Sequence, residues 1–342
     1  MEKITVGIVN FNGMEALPAT LEALRGLSHP VHGIMVVDNH STDGSREWLQ
    51  QQHPEVNCIA LTENLGSAGA RNILLERADT DWVFLMDNDI SVAPDVLERL
   101  LEAMAAVPTA GLAHPEILDE NDPHAYHYNG GRIHYLGALV DTGPPPPDGQ
   151  RARLEIHDVV SGAAMLVRKS RVLAIGGFDE AYFFNWEDGD FTARLSLAGH
   201  PCLNVPGARV HHRSKPRGTS KVFYQVRNRW YFLLKLYDWK TLLCIAPMLC
   251  VFEALQAAFL LKKGAFRDYW RANRAVLRDL PAILVRRRDF QKIKRRRDRD
   301  WLHGGRMFVP AQLKEKQGVM DMVQRIVYGC FDAYWFVARK LC

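Results

Sequence analysis

Two groups of carboxylates in this 342-residue chain stand where they could do chemistry. The first closes the run Asp81-Trp82-Val83-Phe84-Leu85-Met86-Asp87-Asn88-Asp89, in which five apolar residues give way to two aspartates one residue apart. Hard divalent ions are held by oxygen, and Mg²⁺ typically takes one or two carboxylates plus phosphate oxygens. The pair therefore suits a metal-bridged diphosphate; an Asp-rich turn after a strand is the plainer account of the same residues. The second group is Glu187, Asp188 and Asp190, directly behind the aromatic wall of Tyr182, Phe183, Phe184 and Trp186. Carboxylates crowded beside an apolar wall raise one another's pKa, and a general base acting near neutral pH needs that. Acidic residues favoured by the dipole of a helix's first turn would look the same. Further on, His211 and His212 offer imidazoles that suit Mn²⁺ as well as softer metals and could share an ion with Asp89; a polar strand end is the alternative.

The elements that must carry these groups follow from periodicity. Lys3–Asn10 is β-rich and stops at Asn10-Phe11-Asn12-Gly13, a turn signal. Ala16–Leu27 has Leu17, Leu21, Leu24 and Leu27 at helical spacing. Gly33–Val37 is a strand ending at Asp38-Asn39, and Ser41–Ser45 opens a helix that runs through Leu49. Val56–Leu61 is a further strand, followed by the small-residue stretch Asn64–Asn72, where a helix N-terminus can approach a ligand closely. The Asp81–Asp89 run is too short and too apolar for anything but a buried strand. Ala93–Ala105 reads as a helix, Gly111–Ile117 and Asp158–Arg168 as strands, Ala193–Ala198 as a helix ended by Gly199, and Cys202–Val205 as a short strand. Strands alternating with helices, each strand followed by a polar loop, predict an α/β sheet with a ligand site along its carboxyl edge. Asp38, just past its strand, suits a ribose hydroxyl or a base N–H, or else caps the next helix. Leu118–Arg153, with Pro144–Pro147, carries little pattern: it is a surface excursion or a cover for the site.

Four of these segments resemble family 2 glycosyltransferases in order and spacing: Val9–Asn12, Val36–Ser45, Asn64–Asn72 and Asp87–Asp89. Gly176-Gly177-Phe178-Asp179-Glu180 and Trp186-Glu187-Asp188-Gly189-Asp190 extend the likeness, which covers roughly residues 3–230. The resemblance implies the GT-A fold, a sandwich with a mostly parallel central sheet flanked by helices. It also implies inverting transfer from a nucleotide-diphospho-sugar, dTDP- or UDP-linked, held through Mg²⁺ or Mn²⁺. On that likeness Asn10, Asn12, Asp38, Asn64, Gly66, Ala70, Arg71, Asp87 and Asn88 line the donor pocket, and Gly162 and Ala163 lie under the donor sugar. Trp186 stacks on a sugar face, Asp188 is the general base, and Glu187 and Asp190 position it or cap the helix. Asp89 with His212 completes the metal shell, with His211 the adjacent alternative. Lys215, Arg217 and Ser220 suit a lid over the diphosphate.

The remainder is a tail of a different character, which predicts a catalytic domain over 1–221 and a helical, basic region over 222–342. Val222–Tyr237 is an aromatic, cationic amphipathic helix. Leu242–Leu261 is mostly apolar, about the length that spans a bilayer. It is interrupted by Pro247, Glu253 and Gln256, and a mid-span carboxylate costs roughly 3 kcal/mol on insertion scales. An interfacial helix is therefore expected, with a true span as the alternative. Lys262, Lys263, Arg267, Arg271, Arg274 and Arg278 follow, and Arg286–Asp300 holds nine Lys/Arg against three Asp, although the whole chain carries only +4. Such cations suit anionic lipid; a solvated face is the alternative, and no nucleic-acid module accompanies them. Val319–Leu341 is a last aromatic amphipathic helix. Six scattered cysteines without a CxxC pair fit reduced thiols, and a strand starting at once after Met1 predicts no secretory leader. The expected setting is the cytoplasmic face of a membrane, with a lipid-linked surface glycan as acceptor, as in many bacterial members with a similar tail. Two other classes share some of these features. A nucleotidyltransferase on sugar phosphates would carry a cation in the first loop, where Asn10–Gly13 has none; a silent membrane-bound scaffold would not need carboxylates at 87, 89 and 188.

Overall fold

A computed structural model describes residues 2–120, 130–141, 154–213, 221–308 and 319–342. The tetraproline stretch and the lid candidates Lys215, Arg217 and Ser220 lie outside the described residues. The chain divides into two units, 1–130 with 146–216 and 131–145 with 217–342.

The first unit begins β1 (Ile4–Asn10), α1 (Leu17–Arg25), β2 (Gly33–Asp38), α2 (Ser45–Gln52), β3 (Asn57–Ala60), α3 (Gly66–Arg77), β4 (Trp82–Asp87), β5 (Ile90–Val92), α4 (Val96–Ala106) and β6 (Leu112–Asp119). The short strands β7 (Ile133–His134) and β8 (Ala138–Leu139) belong to the second unit. The first unit resumes with β9 (Glu155–His157), β10 (Ala164–Arg168), α5 (Lys169–Ala174), α6 (Glu187–Leu197) and β11 (Cys202–His212). The strands join in the order β3-β2-β1-β4-β10-β6-β11-β5, with β9 also paired to β11. β1 to β4 are parallel, β10 runs against β4 and β6, and β11 is again parallel to β6.

Every residue of β1 is buried, because helices cover both faces of the central strands. Leu17, Leu21 and Leu24 of α1 pack with Ile4, Ile8 and Phe84 in one core, and Leu97 and Leu100 of α4 join it. Register then decides what meets at the carboxyl edge. Asn10 is paired with Asp38 and Val9 with Asp87, so three strands deliver polar ends side by side.

Two strands differ from the sequence reading. Val160–Gly162 is buried but outside the ladder, and β10 starts only at Ala164. Side chains of Asp188 and Arg71 hold the Gly162 amide and carbonyl there in place of a neighbouring strand. Conversely, β11 does not stop at Val205. It passes Pro206 and Gly207 through a register irregularity and continues to His212, pairing with the unanticipated strand β5. The bulge absorbs the proline, which cannot donate to a ladder.

The second unit adds α7 (Val222–Leu236), α8 (Trp239–Lys262), α9 (Phe266–Ile293), β12 (Leu302–His303) and α10 (Val319–Ala338). β12, β7 and β8 form a small sheet. Trp301 is fully buried, edge-on to Tyr237 at 5.5 Å and to Phe232 at 6.2 Å. Part of the basic run is structural. Arg287 donates to the Leu234 carbonyl at 2.7 Å and Lys294 to the Leu236 carbonyl at 3.0 Å. Gln291 joins them at Leu236, at 3.0 Å. These side chains satisfy the carbonyls that α7 leaves unpaired at its C-terminus.

Candidate active site

At the ends of β1, β2 and β4 the polar residues hold one another. Asn10 donates to Asp38 Oδ1 at 3.0 Å and to Ser45 Oγ at 2.9 Å, and accepts from Asn88 at 2.7 Å. Asp38 Oδ2 accepts from the Ser41 amide at 3.1 Å, and Asn12 Oδ1 from the Thr42 amide at 2.8 Å. Asp38 is fully buried, so its first role here is to fix the loop around it. Gly13 must be glycine: a Cβ would fall 1.9 Å from Asn88 Nδ2.

The start of α3 forms the next wall. Asn64 Oδ1 accepts the Gly66 amide at 2.8 Å, and Asn39 ties both Leu65 and Gly66. Gly66 has φ +71°, and a Cβ there would lie 2.1 Å from the Phe183 carbonyl oxygen. That close approach joins the α3 loop to the loop before α6. At the next residue, Ser67 Oγ donates to Glu187 Oε1. Asn72, on the same helix, clasps Phe178 through its amide and carbonyl at 2.8 and 2.9 Å.

Ala70 and Arg71 stand below this surface and not on it. Arg71 is only 3% exposed, and its guanidinium is the hub of the site. It donates to Asp87 Oδ1 at 2.7 Å and to the Gly162 carbonyl at 2.8 Å, and faces Glu187 at 3.6 Å. The Gly162 amide donates to Asp188 Oδ2 at 2.9 Å, and the Ala163 carbonyl accepts the Asp87 amide at 2.9 Å. Asp87 and Asp188 are thus linked through Arg71 and the backbone of one residue, Gly162, whose carbonyl faces Arg71 and whose amide faces Asp188. Burial, with the Asp188 charge adding to it, pushes the Glu187 carboxyl up to about 7, against the pull of Arg71 and Ser67.

Phe183, Asn185 and Trp186 all have positive φ, between 60° and 74°. Three consecutive-range non-glycine residues in that region cost backbone energy, and the turn they make sets Glu187 and Asp188 at the head of α6. Trp186 is half-buried at that turn. Asp190 is fully buried, bound by Tyr182 at 3.0 Å and Arg194 at 2.7 Å. It anchors α6, since Arg194 also reaches the Ile175 and Gly177 carbonyls.

Asp87, Asp89 and His212 present one ligand atom each, all within 4.8 Å of one another. The β5–β11 pairing sets His212 opposite Ile90, next to Asp89, with Nε2 3.2 Å from Asp89 Oδ1. His211 lies on the other face of the strand, because side chains alternate. Asp89 Oδ1 is buried and accepts no hydrogen bond among the described residues. A buried carboxylate oxygen without a donor, beside a second carboxylate and an imidazole, fits a divalent ion of the Mg²⁺ or Mn²⁺ type. An open cavity of about 550 Å³ between Lys3, His32, Asp81, Trp82 and Arg168 lies at the opposite, amino edge of β1 and β4, away from these groups.

Ser67, Asn39 and Asn72 were not assigned roles from the sequence. Their part, linking loops distant along the chain, leaves no local signal.

The sheet order and the loops at its carboxyl edge are those of the GT-A fold. The fold aligns with GalNAc-T7 solved with UDP, GalNAc and Mn²⁺, over 70% of this chain and 49% of that one, with TM-score 0.58 and 17% identity. It aligns also with the mannosyltransferase PcManGT of Pyrobaculum calidifontis, solved with GDP-Man and Mn²⁺, over 85% of each chain, with TM-score 0.52 and 16% identity. At those identities the likeness is one of fold. In sequence, the N-acetylglucosaminyl-diphospho-decaprenol L-rhamnosyltransferase of Mycobacterium tuberculosis is 31% identical over 208 residues, covering 54% of this chain and 68% of the relative. The chain belongs to glycosyl transferase family 2, whose model matches residues 5–172. It is a glycosyltransferase, and the nucleotidyltransferase and scaffold readings fall away.

Proposed function

We propose that this enzyme moves a sugar, with inversion, from a dTDP- or UDP-linked donor to a hydroxyl of a lipid-linked glycan, with Asp188 as general base. The observation that carries the reading is the set of contacts linking Asp87 to Arg71, Arg71 to the Gly162 carbonyl, and the Gly162 amide to Asp188. It fixes a diphosphate-type site and a carboxylate base relative to each other. Catalysis by positioning depends on such fixed geometry.

Asp87, Asp89 and His212 would hold Mg²⁺ or Mn²⁺, which when bound supplies positive charge to the donor's diphosphate. Mn²⁺ was present with both fold neighbours. Asp188 keeps one oxygen on the Gly162 amide and the other on the Gly189 amide at 2.7 Å. Those bonds orient the carboxylate to take the proton of an incoming hydroxyl as it attacks the anomeric carbon opposite the leaving diphosphate. Glu187, held by Ser67 and Arg71, fixes the turn before it. Asn10, Asn12, Asn64, Asn88 and Asp38 shape the nucleotide end, Gly162 and Ala163 floor the sugar site, and Trp186 offers it a stacking face.

The acceptor class rests on the mycobacterial relative, whose name gives a decaprenol-linked, diphosphate-bearing N-acetylglucosamine as its substrate. We assign catalysis to the first unit and attachment to an anionic membrane surface to the second. The cytoplasmic side is assigned because all six cysteines are unbridged.

The test is transfer and donor hydrolysis across UDP-, dTDP- and GDP-sugars with Mn²⁺, Mg²⁺ or EDTA, in the native enzyme and Asp188→Asn. Removing a general base costs about 10²–10⁴ in rate. Asp188→Asn should lose transfer to that extent while still binding donor. Near-normal transfer by the variant overturns the assignment of the base, and metal-independent turnover overturns that of the metal.

A further inference from the structure

Among the described residues α8 is the one helix long and apolar enough to cross a membrane. Length alone does not decide how it meets one, because its 24 residues at about 1.5 Å each match a bilayer's hydrocarbon thickness. The distribution of its residues does. Thr241, Ile245, Leu249 and Leu260 are buried against the rest of the second unit. Glu253 also turns inward. It pairs with the buried Arg229 of α7 and accepts from Tyr269 of α9 at 2.9 Å, while Arg229 stacks on Phe252 at 4.7 Å. The carboxylate that breaks the apolar run in sequence is thus taken up by the unit itself.

What α8 shows outward is a stripe at three- and four-residue spacing: Leu243, Pro247, Val251, Leu255, Ala258 and Leu261, with Leu243 76% exposed and Leu261 64%. No charge interrupts it, and exposed lysines stand at its two ends, Lys240 before and Lys262 and Lys263 after. The neighbouring α9 exposes Trp270 and Leu277 among Arg267, Arg271, Arg274 and Arg278. An upright α8 would carry this packed, arginine-bearing partner and the Arg229–Glu253 pair toward the bilayer centre. Each arginine there costs about 2.5–3.5 kcal/mol on insertion scales.

Building on the membrane attachment assigned above, we infer that α8 lies flat in a single leaflet of an anionic bilayer. The Leu243–Leu261 stripe is immersed below the headgroups, and the terminal lysines with the α9 arginines hold acidic lipid. Apolar area and cation–headgroup attraction act together in such helices.

The experiment uses the full chain and vesicles of phosphatidylcholine, alone or mixed with phosphatidylglycerol. Flotation should show binding that needs phosphatidylglycerol and weakens with salt. Leu243→Glu combined with Leu255→Glu, at exposed positions where folding is undisturbed, should cut that binding by at least about tenfold. Depth is read from a fluorophore on Cys250, midway along α8 and exposed, with the other cysteines replaced by alanine and donor hydrolysis confirming the fold. Quenching by headgroup-level nitroxide lipid should exceed quenching by chain-end nitroxide. The opposite order means that α8 spans, and overturns the flat placement while leaving membrane attachment standing. Absence of vesicle binding, or binding unchanged in the stripe variant, overturns the placement as well. Donor hydrolysis, followed in the same samples, reports on the catalytic assignment independently.

Discussion

Glu187→Gln isolates the electrostatics of the site. In the folded protein Glu187 keeps its proton up to about pH 7, whereas the ordinary value is 4.5. The folded state therefore binds the extra proton between those two values, and stability falls as pH rises through the window. The contribution is fully present below pH 4.5 and gone above pH 7. At about 1.4 kcal/mol for each pH unit between the two values, the loss is about 3 kcal/mol. Glutamine keeps the neutral shape and still accepts from Ser67. The variant should match the wild type at low pH and exceed its stability at pH 8 by up to about 3 kcal/mol. For a domain of this size that is about 6–12 °C in melting temperature. The assay is thermal unfolding of both proteins in EDTA from pH 5 to 8.5 at constant salt. Titrating groups away from Glu187, the surface histidines included, cancel in the difference between the two curves, which therefore reports Glu187 together with its neighbour Asp188. Parallel curves across the window, or a variant less stable than wild type at pH 8, would refute the reasoning, because the cost of charging a buried carboxylate beside Asp188 would then be absent.

Two further outcomes follow from the same geometry. Gly162→Ala places a Cβ 2.8 Å from Asp188 Cβ and 3.0 Å from Arg71 Nη1; overpacking of that kind costs about 1–3 kcal/mol, so calorimetry should show a lower melting temperature, and steady-state rates a larger loss in kcat than in donor KM. His212→Asn should weaken Mn²⁺ binding in calorimetric titration by at least about tenfold, since even outer-shell changes at metal sites cost 10- to 100-fold, while His211→Asn, on the other face of β11, should leave it unchanged.

The parts of this molecule that were legible in sequence are those whose signal is local. Buried strands such as Ile4–Asn10 and Trp82–Asp87 announce themselves by composition, and parallel pairing then aligns their polar ends without further information. The metal-type pair Asp87 and Asp89 could be read because both lie on one short segment. In sequence His212 is preferred to His211 only through the family resemblance; the physical ground for it is the course of β11, which passes Pro206 and pairs with β5 so that His212 comes beside Asp89. Arg71 shows the limit most clearly. Its position in the motif placed it in the donor pocket, but nothing local says that its guanidinium runs beneath the surface to Asp87, Gly162 and Glu187. Gly162 and Glu187 lie far along the chain, and a charged residue satisfied by distant groups has no periodicity to betray it. The same holds for Glu253, which in sequence is a charge interrupting an apolar helix and in the folded unit is the partner of Arg229 and Tyr269. In both cases the buried charge is satisfied by tertiary partners that must all be present before the segment makes physical sense. A charge out of place in a local pattern therefore marks where long-range structure has been built around it.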